Sequence, residues 1–126
     1  MANLTYEVQD ATTGGWVEYS DGELALLPGG IAGLSVKLDN AGGRLVSYQA
    51  YYNGAWSGEK TDGEKLGDGV NKFLAVRILL SFRRGRHVKY TVIDQNFRGY
   101  DGMDDQVAGD VTAAAVPLKA IRISYI

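Results

Sequence analysis

Tyrosine recurs at Tyr6, Tyr48 and Tyr90, 42 residues apart each time, in a chain of 126 residues that holds three such periods. A fixed period constrains the fold more than any single motif. A unit this short cannot bury an apolar face alone and must pack against its copies. The segments around the tyrosines align position by position: Leu4-Thr5-Tyr6-Glu7-Val8, Val46-Ser47-Tyr48-Gln49-Ala50 and Val88-Lys89-Tyr90-Thr91-Val92. Apolar residues take every second position, the pattern of a strand with one buried face.

A second block closes each unit: Ser35-Val36-Lys37-Leu38, Ala75-Val76-Arg77-Ile78 and Ala120-Ile121-Arg122-Ile123. These read as strands with the base on the outer face. Between the two blocks come an aromatic (Trp16, Trp56, Tyr100) and then an acidic turn: Ser20-Asp21-Gly22-Glu23, Thr61-Asp62-Gly63-Glu64 and Asp104-Asp105-Gln106. Asp-Gly is a strong turn signal because its backbone adopts φ > 0 readily. The units run about 1–42, 43–84 and 85–126. Their joints, Asn40-Ala41-Gly42-Gly43-Arg44 and Phe82-Arg83-Arg84-Gly85-Arg86, read as turns rather than interdomain linkers. Thr112-Ala113-Ala114-Ala115 favours helix by composition, but it is short and runs into Val116-Pro117, so it reads as a loop inserted in the third unit. The expectation is one all-β domain with pseudo-threefold repeat symmetry, two long and two short strands per unit. A β-prism-like assembly of three small sheets is favoured, and a β-trefoil of twelve short strands is the alternative.

The units resemble the clostridial hydrophobic-W repeat, in which a strand is followed by Gly-Trp, an Asp-Gly-x-x-Ala-Gly stretch and an aliphatic strand. The matching residues are Gly15-Trp16 with Asp21-Gly22, then Trp56 with Asp62-Gly63-Glu64-Lys65-Leu66-Gly67. In the third unit they are Gly99-Tyr100 with Asp104-Asp105-Gln106-Val107-Ala108-Gly109, before the closing strand at Ala120-Ile121-Arg122-Ile123. Tyr100 stands in place of Trp, Ala55 in place of the Gly before Trp56, and the first unit lacks the Ala-Gly pair. The resemblance covers nearly the whole chain through short motifs. It implies a non-catalytic surface-binding module, with carbohydrate as the usual ligand, and carries over no assigned binding residue.

The residue inventory narrows the chemistry independently. There is no Cys, which removes thiol nucleophiles, disulfides and Cys-based metal sites, and there is a single His, His87. A glycosidase needs two carboxyls in unlike environments, whereas the carboxyls here recur in equivalent turns. No nucleophile elbow or phosphate loop is present. The chain therefore reads as a non-enzyme without cofactor or metal. Asp101-Gly102-Met103-Asp104-Asp105 is rich in calcium-type oxygens but lacks the EF-hand spacing and reads as a solvated acidic turn. His87 reads as a surface residue. The cluster of Phe82, Arg83, Arg84 and Arg86 reads as a solvated turn, and a net charge of −2 argues against nucleic acid as a partner. No stretch approaches the roughly 18 apolar residues that read as a membrane span, and no basic-apolar leader opens the sequence. The expected location is cytoplasmic, or outside the cell by a route without an N-terminal signal.

Sugars offer flat C–H faces and rings of hydroxyls, so a site for them combines an exposed aromatic with carboxylates. The candidate site residues are Trp16, Asp21 and Glu23; Trp56, Asp62 and Glu64; and Tyr100, Asp104 and Asp105. The aromatics have two readings at this point, core packing or exposed platform. The expected function is a multivalent, lectin-like carbohydrate-binding module with two or three equivalent sites for glycans, with homo-oligomerisation left open. The alternative is a structural, adhesion or protein-interaction module using a Tyr-rich face such as that of Tyr51 and Tyr52.

Overall fold

The computed structural model describes residues 2–126. Among them are twelve strands and no helix: β1 (Asn3–Asp10), β2 (Trp16–Ser20), β3 (Leu24–Leu26), β4 (Ile31–Asp39), β5 (Val46–Tyr52), β6 (Ala55–Trp56), β7 (Lys60–Thr61), β8 (Ala75–Leu80), β9 (Val88–Asp94), β10 (Gly99–Met103), β11 (Ala108–Gly109) and β12 (Leu118–Tyr125). They form three antiparallel sheets, none closed into a barrel. The segment around 112–115 is a loop between β11 and β12, and residues 40–44 and 82–86 are turns.

Each sheet is built around the two long strands of one unit. Sheet A has the order β2-β1-β4, sheet C has β11-β8-β5-β6 with β7 also on β5, and sheet B has β10-β9-β12-β3. In sheets B and C one edge strand comes from another unit, and sheet A receives a single bridge in the same place. β3 of the first unit pairs with β12 of the third, Ala25 facing Ile121. β11 of the third pairs with β8 of the second, Ala108 facing Val76. Leu66 of the second makes the corresponding bridge to Leu34 on β4 of the first. The exchange runs around the molecule and returns to its start. It explains the glycines of Leu66-Gly67 and Ala108-Gly109. Gly109 (φ +120) and Gly67 (φ +105) bring this strand so close to its neighbour that a Cβ would lie 2.4 Å from Leu74 O or 2.3 Å from Ala32 O. Only glycine permits both that φ and that approach.

The alternation of the long strands is obeyed. Leu4, Tyr6 and Val8, Val46, Tyr48 and Ala50, and Val88, Tyr90 and Val92 are all buried in one apolar cluster, with the closing strands supplying Leu34, Val36, Ile78, Ile121 and Ile123. The intervening residues therefore face outward. Burying Leu, Ile and Val side chains stabilises by about 1.5–3 kcal/mol each, and all three units contribute to the one cluster. Burial raises the phenols of all three repeated tyrosines, those of Tyr6 and Tyr90 to about 12. Each hydroxyl donates to the backbone carbonyl of the last residue of its own unit's acidic turn: Tyr6 to Glu23, Tyr48 to Glu64 and Tyr90 to Gln106.

Candidate functional site

The acidic turns are the corners at which the chain leaves one sheet for the next. Asp62 (φ +41) and Gly63 (φ +91) give the 61–64 turn its tight reversal, and Asp104 (φ +49) and Asp105 (φ +76) do the same in the third unit. The side chains are committed to holding these corners. Asp62 Oδ1 accepts the amide of Leu38 at 3.1 Å, and Asp21 Oδ1 accepts the amide of Tyr125 at 3.0 Å; each bond reaches the closing strand of another unit. Asp104 Oδ1 accepts the amide of Val88, and its Oδ2 meets His87 Nδ1 at 2.5 Å and Arg83 Nη1 at 3.1 Å. Burial opposes ionisation of Asp104, but the bonds from His87, Val88 and Arg83 prevail and hold its carboxyl below the usual range. Glu23 and Glu64 fold back on the amides of Ser20 (2.5 Å) and Thr61 (2.8 Å). Gln106 does the same to Met103 at 3.0 Å. An uncharged amide oxygen thus serves as well as a carboxylate, so the charge is incidental to this role. Asp105 makes an exposed pair with Arg77 at 3.7 Å.

Three expectations need correction. The aromatic and the acidic turn of one unit do not meet. Trp16 begins β2 and Asp21 follows its end, so five residue steps of extended chain separate them, about 16 Å at 3.3 Å per residue. Trp56 ends β6 and is divided from Asp62 by residues 57–59 and β7, and Tyr100 is divided from Asp104 by the rest of β10. The aromatics also do not share one register. Trp16 pairs with Gln9 and Trp56 with Tyr51, both outward positions, but Tyr100 pairs with the inward Val92 and packs against the core. The register position of the tryptophans is taken in the third unit by Gly99, opposite Ile93. Finally, the third acidic turn is not solvated throughout, since the Asp104 side chain is only 5% exposed and holds His87 and Arg83.

Both tryptophans are half-buried outer-face rings beneath cations, neither core nor bare platform. Lys65 Nζ lies 4.7 Å from the Trp16 ring centroid and Arg77 lies 4.7 Å from that of Trp56. Tyr51 and Tyr52 form no flat face. Tyr51 sits edge-on to Trp56 and Tyr52 stacks inward on Phe73.

The outward positions of the long strands make the clefts. On sheet A, Thr5 faces Lys37, and Glu7 lies between Ser35 and Glu18. With Asp62 and Glu64 of the next unit's turn they line an open cleft of about 540 Å³, and Trp16 lies one register step beyond Glu18 on the same face. Two like charges directly opposite one another, Glu7 and Glu18, destabilise a sheet. The register counterpart on sheet B is a cleft of about 160 Å³ lined by Lys89, Thr91, Arg122 and Ser124. On sheet C the same place is filled by Arg77, which bonds Gln49 at 2.8 Å and lies against Trp56 and Asp105. The outward residues Glu7, Glu18 and Lys37 are not among the candidates that the motifs offered. Their signal was the polar half of the period-two alternation.

Comparison with known protein families, curated proteins and solved structures returns no match.

Proposed function

We propose that the chain is a non-catalytic carbohydrate-binding module with a pseudo-threefold, β-prism-like architecture. The cyclic exchange of the outermost strand among three separate sheets supports the prism form over the trefoil. The observation that carries the ligand class is the sheet A cleft, where carboxylates, a hydroxyl and an ammonium converge on an open space of about 540 Å³ beside an indole ring. Glu7 and Glu18 accept hydrogen bonds from sugar hydroxyls, and Lys37 donates to sugar oxygens. The buried Ser35 hydroxyl is committed to Gly63 O at 3.0 Å, and the Trp16 ring, beneath Lys65, borders the site one register step away. The site crosses a unit boundary, because Asp62 and Glu64 wall it from the second unit. Its counterparts are unequal: sheet B carries Lys89 and Arg122, and sheet C is closed by Arg77.

A binding role also accords with the carboxylates. Asp94, the most buried, accepts the amides of Asn96 and Arg98 and lies 3.4 Å from the Arg98 guanidinium, so it fixes a hairpin turn. The others hold corners or face open solvent, and no pair offers the unlike environments of an acid and a nucleophile.

The test is a glycan-array screen followed by calorimetric titration of the best ligand. Glu7→Gln and Glu18→Gln are expected to weaken binding about tenfold or more each, from loss of a charge-assisted bond, with melting unchanged or slightly raised. Silence across all neutral and acidic glycan classes refutes the reading and moves the assignment to a protein-interaction module.

A further inference from the structure

A second concave feature lies where the unit joints gather, away from the sheet A cleft. It has a volume of about 420 Å³ and is lined by Arg44 of the first joint, Arg86 of the second, Tyr125 of the last strand and Asn40, with Ala2, Ala41 and Gly42 completing the wall. The two guanidinium groups are held in place by uncharged partners. Arg44 donates to Ala41 O at 2.9 Å and Arg83 O at 3.3 Å, while Arg86 lies 4.5 Å from the centre of the Tyr125 ring. Among the described residues neither has a carboxylate within 4.0 Å, although Arg83, Arg77 and Arg98 each have one. Four of the seven arginines, Arg44, Arg83, Arg84 and Arg86, belong to these joints in a chain of net charge −2.

The adjoining loop is strained. Phe82 (φ +49) and Arg84 (φ +46) adopt the left-handed region, unfavourable for a bulky residue, and the Phe82 ring is 73% exposed. Strain of this kind without packing in return is concentrated at functional sites. Arg44 is bonded to the Arg83 carbonyl, which ties this loop to the cleft through its backbone.

We infer that this cleft binds the oxyanion of an acidic glycan, a carboxylate or sulfate borne on a sugar ring. Two oriented guanidinium forks without counter-charges match a planar or tetrahedral oxyanion. A concave space within the size range of small-ligand sites suits a discrete group better than a flat lipid surface. The ligand class rests on the carbohydrate reading above, but the site is separate from the sheet A cleft.

The experiment is calorimetric titration of the full chain with a heparin oligosaccharide, an oligogalacturonate, a neutral oligosaccharide of equal length and sodium sulfate, at low and high salt. Binding of one or both acidic oligosaccharides, weakened by salt and absent with the neutral one, is the expected result. Arg86→Gln should weaken it about tenfold or more, and Arg86→Lys, which keeps charge but loses the fork, should recover only part. Arg44→Gln should act likewise. If its loss of backbone bonds lowers the melting temperature below the assay range, the Arg86 pair decides. Glu7→Gln should leave this binding unchanged. Acidic binding that survives Glu7→Gln and fails in Arg86→Gln upholds the inference even if neutral glycans are silent. No binding of either acidic oligosaccharide, binding unaffected by Arg86→Gln, or sulfate bound as tightly as the oligosaccharides each overturns it.

Discussion

Replacing Asp62 separates the corner-holding role of the acidic turns from a ligand role. Its Oδ1 accepts the amide of Leu38 at 3.1 Å, and Leu38 is only 5% exposed, so that amide has little access to water once the carboxylate is gone. Hydrogen bonds to charged groups contribute about 1.5–3 kcal/mol, and the half-exposed position of Asp62 places this one toward the lower end. Asp62 also sits at φ +41, which Asp and Asn tolerate and which costs alanine about 1 kcal/mol more. Asp62→Ala should therefore cost about 2.5–3.5 kcal/mol. For a chain of this length that lowers the melting temperature by roughly 10 °C. Asp62→Asn keeps an acceptor and the φ tolerance, and should cost under about 1 kcal/mol. Asp62→Gly loses the bond without the backbone strain, and should lie about 1 kcal/mol above the alanine variant. The assay is urea and thermal denaturation of the three variants, with glycan titration on the same samples. An alanine variant as stable as the parent, with glycan binding abolished, would refute the corner role and return Asp62 to the binding surface.

Burial raises the Tyr6, Tyr48 and Tyr90 phenols, so three of the eight tyrosines should titrate late in a tyrosinate absorbance titration. Their raised folded values add stability that is complete below the unfolded value near 10 and fades as pH climbs, for Tyr6 and Tyr90 toward about 12; titration of these phenols at the unfolded value in a still-folded chain would contradict this. The lowered carboxyl of Asp104 works in the opposite sense, contributing stability above the unfolded value of about 3.9 that is lost as pH falls through its lower folded value. Asp104→Asn should flatten the acid limb of a melting-temperature profile below pH 4, and an unchanged limb would count against the His87 and Arg83 bonds. Phe82→Gly should stabilise by about 1 kcal/mol, since it relieves a positive φ and removes a largely exposed ring; a lower melting temperature would mean that the ring is packed in solution.

The sequence alone determined the all-β class and the inward face of the three tyrosine-bearing strands, because the alternation of Leu4, Tyr6 and Val8 and its copies is a local property of an extended chain. It also located the turns at Asp62-Gly63 and Asp104-Asp105, where local backbone preference decides. What surrounds those turns was decided by the tertiary structure. The sequence neighbours Trp16 and Asp21 are parted by the length of β2, while Asp62 reaches Leu38 across a unit boundary. Six residues lie between the paired Gln9 and Trp16 and four between Tyr51 and Trp56, but five between Ile93 and Gly99. That odd hairpin puts Tyr100 on the inner face, since a shift of one residue reverses the side of a strand. Motif spacing cannot register such a reversal. The clefts were illegible for a related reason. Glu7, Glu18 and Lys37 belong to three strands, and Arg44 and Arg86 to two joints, so each set meets only when the sheets pair and the units close on one core.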